Sequence, residues 1–158
     1  MKATVNSPLL TSTMLILVLV FSSMNAKAQE SKSVTYAGDD LHYLGYVMLT
    51  GDTAAWTNLH SDDIYYLSKA LFLRKPESLN YVQNDDVYFL GSALLRGDKE
   101  ELEKIIVDDW YYLGTAIFGK TIAYLENIES DDVYYLGKGL VLRDMNYLDQ
   151  ISTIEKKE

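Results

Sequence analysis

One feature limits the possible folds more than any other: the chain repeats itself. Asp-Asp pairs occur at 39–40, 62–63, 85–86, 108–109 and 131–132, each 23 residues from the next with no insertion. A fixed period of about 20–50 residues marks an array of stacked supersecondary units. Counting from each pair gives units 39–61, 62–84, 85–107, 108–130 and 131–153. A unit this short cannot bury its own apolar side, because ordering it costs roughly 1.5 kcal/mol per residue, so neighbours must share surface.

The pattern within a unit predicts what is stacked. Unit position 3 is apolar (Leu41, Ile64, Val87, Trp110, Val133), and position 6 is always leucine (Leu44, Leu67, Leu90, Leu113, Leu136). Position 10 is Met48, Leu71, Leu94, Ile117 or Leu140. Steps of three and four residues place these side chains on one helical face. Position 7 is glycine in four units and Ser68 in the second, and position 9 is small, which suits close backbone approach. Turn residues follow at positions 13 and 14, as in Gly51-Asp52 and Gly97-Asp98, and a second apolar pair stands at positions 18 and 21. We therefore expect an all-α chain: a right-handed α-solenoid of five helix-turn-helix repeats, with one helix over about positions 2–12 and a second, shorter helix over about 15–22. A strand-helix solenoid is the other reading, because Val-Tyr-Tyr-Leu is β-prone, but the spacing of positions 3, 6 and 10 fits a helix better than alternation.

At Trp110-x-x-Leu113-Gly114-x-x-Ile117 the first helix resembles that of the tetratricopeptide repeats, over about eight residues per unit. That family repeats every 34 or so residues, and its second-helix Ala-x-x-x-Phe and terminal proline have no counterpart here. The resemblance implies a related packing principle and a concave face that binds peptide.

Outside the repeat, residues 1–28 read as a removable export signal: Lys2, the apolar run Met14–Phe21, then Ala26-Lys27-Ala28, with cleavage expected after Ala28. The run is shorter than the roughly 20 residues a spanning helix needs, so membrane insertion is not expected. A secreted or periplasmic location follows, with 29–38 as a flexible linker and 154–158 as a charged tail. Losing Lys2 and Lys27 with no acid changes the net charge from −9 to −11. Such a balance disfavours nucleic acid and anionic lipid as partners, since no basic stripe is left to meet phosphates. The absence of cysteine excludes disulfides and thiol catalysis.

Few motifs suggest chemistry. Gly114 to Thr121 spells a phosphate-binding loop, yet Gly114 belongs to a glycine column expected within a helix, where no strand precedes it. Arg96-Gly97-Asp98 spells an adhesion tripeptide but falls in the turn column, and His42 and His60 read as surface or boundary residues without partners for a metal or catalytic site. The Asp-Asp ladder (Asp39, Asp40, Asp62, Asp63, Asp85, Asp86, Asp108, Asp109, Asp131, Asp132) is expected to cap helices and bond between units; its other readings are a calcium ladder or a face for a basic partner. Tyr65, Tyr66, Tyr88, Tyr111, Tyr112, Tyr134 and Tyr135 form two columns, expected to flank the solvent face as mortar between units or to bind a partner. The resulting expectation is an exported, non-enzymatic binding or scaffolding module without a cofactor, acting on a protein or peptide through its Tyr- and Asp-rich surface. The alternative is a self-assembler that stacks end to end into filaments.

Overall fold

The structure, a computed structural model, describes residues 36–152; the expected export signal, residues 29–35 of the linker and the tail 154–158 lie outside the described residues. Among the described residues the chain is all helical, with five main α-helices: α1 (Gly38–Thr50), α2 (Asp62–Leu73), α3 (Asp85–Arg96), α4 (Asp108–Gly119) and α5 (Asp131–Leu142). The β-prone Val-Tyr-Tyr-Leu segments lie inside α-helices, and no strand occurs among the described residues.

Each α-helix begins and ends for local reasons. Ser61, Asn84 and Ser130 accept hydrogen bonds from the N–H groups of Ile64, Val87 and Val133, at 3.4, 3.0 and 3.4 Å. These residues, not the aspartates, are the side-chain N-caps. At the other end the chain leaves every helix through a left-handed residue at position 13: Gly51, Arg74, Gly97, Lys120 and Arg143.

The second segment of each unit is helical, as expected, but ends at position 20 instead of 22. It is a six-residue 3-10 helix: η1 (Thr53–Asn58), η2 (Pro76–Tyr81), η3 (Lys99–Lys104), η4 (Ile122–Asn127) and η5 (Met145–Gln150). Asp52, Asp98, Thr121 and Asp144 cap four of them by accepting from the N–H two residues on. The leucine at position 18 is then buried, and the N–H of position 21 closes a three-residue turn on its carbonyl, as from Ile105 to Leu102 at 3.0 Å. Beyond that point the backbone is extended, because the N–H groups of positions 22 and 23 bond to a carboxylate instead of continuing a helix.

Position 7 shows how units join. A Cβ at Gly91 would lie 2.6 Å from Leu79 Cδ2 and 2.9 Å from Leu67 Cδ1, both in the preceding unit. Gly114 stands in the same relation to Leu102 and Leu90, and Gly137 to Leu125 and Leu113. The second unit has Ser68 there because the preceding position 18 is Trp56, whose indole N–H donates to the serine hydroxyl at 2.9 Å.

The same joint closes the molecule. Gly45 of α1 faces Leu148 and Leu136 of the last unit, at 2.6 and 3.0 Å from where its Cβ would be. Helix α1 packs on both α5 and η5, as α2 packs on α1 and so on around the chain. His42, expected to be an ordinary boundary residue, sits at this seam with Nδ1 3.1 Å from the Leu148 carbonyl oxygen. The five α-helices therefore form a ring, with the 3-10 segments alongside, and not an open solenoid. The first and last units of the array thus pack against each other.

Candidate functional site: a lumen with a cationic mouth

A ring of five helices has an axis, and the leucines at position 6 meet near it. All five are buried, at 3% exposure or less. One turn nearer the helix starts, the position 3 side chains are buried too. One turn nearer the helix ends, the position 10 side chains are only half-buried, because they line a cavity of about 730 Å³. Position 6 and position 10 residues from all five helices contribute to its wall, which places it on the axis. Its size lies within the range of about 300–1,000 Å³ usual for small-molecule sites.

The opposite end is closed by Tyr36. This residue falls in the stretch expected to be a flexible linker, yet it is 91% buried, being 9% exposed. Its ring meets Trp110 of α4 edge-on, with centroids 5.6 Å apart, and its hydroxyl donates to Asp63 of α2 at 3.0 Å. Helices α2 and α4 are not neighbours in the ring, so a side chain touching both must lie across it. Burial, followed by the charge of Asp63 and the hydrogen bond to it, holds the Tyr36 hydroxyl well above the ordinary tyrosine range. It remains a neutral donor at any physiological pH.

The mouth carries a different chemistry. Apart from apolar residues the cavity is lined only by Arg74, Arg96 and Arg143. Arg74 and Arg143 occupy the left-handed position, at φ 53° and 55°, where two other units have glycine. A non-glycine residue in that conformation costs on the order of 1 kcal/mol or more. A cation beside a helix C-terminus recovers about 0.3–1 kcal/mol of this from the dipole. None of the three arginines takes part in an ion pair among the described residues, where Lys104–Glu101 is the pair present.

The residues singled out in the sequence do not converge on this lumen. At position 2, Asp40, Asp63, Asp86 and Asp109 each accept two N–H bonds from residues 20 and 21 further on, and Asp132 accepts one from Ser152. They clamp the extended end of each unit to that unit's own α-helix. At position 1, Asp39 is buried, whereas Asp62, Asp85, Asp108 and Asp131 are exposed in the first helical turn. Among the described residues no group of three or more His, Asp or Glu is arranged to hold a metal ion.

In the second unit the tyrosine columns meet 3-10 segments. Tyr65 at position 4 packs on Trp56 of the preceding unit, and Tyr66 at position 5 stacks on Tyr81 of its own unit at 4.8 Å. Tyr88, Tyr111, Tyr112, Tyr134 and Tyr135 are half-buried, and each pairs edge-on with its neighbour in the same helix, Tyr88 with Phe89. Position 8, expected between the columns on the solvent face, is instead covered: Ser92 and Thr115 are buried, and the Lys69 ammonium lies over the rings of Trp56 and Tyr65. Arg96-Gly97-Asp98 forms the exit of α3 and the cap of η3, and Gly114 lies inside α4, so neither has its motif's setting.

Fold and lumen together define a closed ring of helical units with an axial apolar cavity open at one end. No protein-family model, curated protein or solved structure matches the chain. Among the described residues no helix is long and apolar enough to cross a membrane.

Proposed function

We propose that the chain is an exported, non-enzymatic binding protein, a five-repeat array closed on itself, which holds an apolar small molecule in its lumen. The observation that carries this reading is the axial cavity of about 730 Å³ with leucine, isoleucine and methionine from all five helices in its wall. A protein of this size ordinarily fills its interior to crystal-like density, so an apolar void open at one end is unusual unless something occupies it. No lining residue is a nucleophile or a general base, which supports binding without turnover. This reading moves the expected site from the Tyr- and Asp-rich outer surface to the axis, because the position 2 aspartates already serve the backbone.

Titration with the neutral fluorophore N-phenyl-1-naphthylamine tests it. Saturable binding of about one dye per chain is expected, and Leu94→Trp, which fills the cavity, should weaken it at least tenfold while leaving the helical circular dichroism unchanged. Non-saturable binding, or binding indifferent to Leu94→Trp in a folded protein, would overturn the proposal.

A further inference from the structure

We propose that the lumen takes a single-chain fatty carboxylate, chain inward, with its anionic head held by Arg74, Arg96 and Arg143. This rests on the lumen reading above and adds the class of ligand.

The chain has 23 acidic and 14 basic residues, so an unpaired cation should be rare on its surface. Yet the charged groups lining this cavity are three guanidiniums and no carboxylate. They come from the ends of α2, α3 and α5, so they approach the mouth from separate sectors of the ring. The acids nearest in sequence form no ion pair with them among the described residues: Asp98 and Asp144 are turned to the N–H groups of Glu100 and Asn146 as caps, and Glu77, three residues from Arg74, is exposed in the first turn of η2.

Distance separates this rim from the acidic ladder. A 12-residue helix is about 18 Å long, roughly two Debye lengths at physiological salt, so the aspartates at the helix starts are largely screened from the mouth. The global negative charge therefore opposes approach to an anionic membrane but does not forbid one monoanion at the rim.

The shape of the ligand follows from the layering. Below the arginines the wall is apolar down to the position 6 leucines, and the far end is stopped by Tyr36 and Trp110, so a chain can enter from one side only. Phe118, which lines the cavity and is 37% exposed, offers apolar surface to the first carbons below a head group. A guanidinium offers a planar pair of N–H donors that matches the two oxygens of a carboxylate. Extra methylenes then add affinity by burial, whereas the head fixes orientation.

Displacement of N-phenyl-1-naphthylamine by dodecanoate, dodecan-1-ol and dodecyltrimethylammonium, each below its micelle concentration, tests the inference. Dodecanoate should displace the dye at a concentration at least tenfold lower than the alcohol, and the cation should be weakest. In Arg74→Gln/Arg96→Gln/Arg143→Gln the acid and the alcohol should become equivalent, while affinity for the neutral dye stays within twofold. Arg96→Gln alone should lose part of the preference, which guards against misfolding of the triple variant. Equal displacement by acid and alcohol in the unaltered protein would overturn the anionic head and leave the lumen standing. Saturable dye binding that none of the three displaces would also overturn the inference. Cosedimentation with phosphatidylglycerol vesicles, with no displacement by dodecanoate, would overturn it in favour of a membrane surface.

Discussion

Two adjacent aspartates in every unit do different work, and substitution separates them. Asp86 is 4% exposed and accepts from the N–H groups of Ile106 and Val107 at 2.8 and 3.3 Å, whereas Asp85 beside it is exposed. Asp86→Ala leaves two backbone donors without their charged acceptor and should cost about 2–3 kcal/mol in urea unfolding. Asp85→Ala removes a surface carboxylate near a helix start and should cost about 0.5 kcal/mol. Equal effects would show that the pair acts only through the helix dipole. Sequence alone could not separate the two, because both are the same residue type at neighbouring positions. The cue was available one residue earlier: Ser61, Asn84 and Ser130 already supply caps, which leaves one aspartate of each pair for another task.

At the scale of the element, the joint between units is a leucine pair set against a glycine. Gly91→Ala gains roughly 1 kcal/mol of helix propensity but places a methyl 2.6 Å from Leu79 Cδ2. Overpacking of this kind costs typically 1–3 kcal/mol, so a net loss of up to about 2 kcal/mol is expected. Leu79→Ala alone opens a cavity and should cost about 2–5 kcal/mol. In the double variant the new methyl occupies space the leucine vacates, so the loss should fall short of the sum by about 1 kcal/mol; strict additivity would discredit the contact. The α-helices were legible from the sequence because positions 3, 6 and 10 repeat a helical face five times, and Leu90, Gly91 and Ala93 are buried where that face requires. The 3-10 segments were not, since leucine at position 18 and its partner at 21 are three apart in either helix type. Tyr36 was missed because it stands outside the period, and the lumen because position 10 looks like ordinary core until the ring geometry is known.

At the scale of the whole molecule the decisive fact is that α1 meets α5. Packed helices lie about 10 Å apart, so the ends of five stacked in a row would be separated by roughly 40 Å. In the ring Gly38 sits so near Ser152 that a Cβ on it would overlap the Ser152 carbonyl. A circular permutant with new termini between the exposed residues Arg74 and Lys75, and Ser152 joined to Tyr36 by a short Gly-Ser linker, should keep its helical content and unfold within about 1 kcal/mol of the parent. An open row of helices could not be joined this way, and its permutant would fail to fold. Nothing in one unit's sequence announces closure, because it depends on the sum of small rotations between units. Closure has a consequence for how such a chain can change. An open array lengthens or shortens by whole units, with neighbours added or lost only at its ends. Here each unit turns the chain through one fifth of a circle, so a duplicated or deleted unit would strain or part every glycine–leucine joint at once and alter the bore of the lumen. The number of units is thus as much a part of the binding site as any side chain in it, and gene duplication, which freely tunes other repeat proteins, would here have to replace the whole circle in a single step.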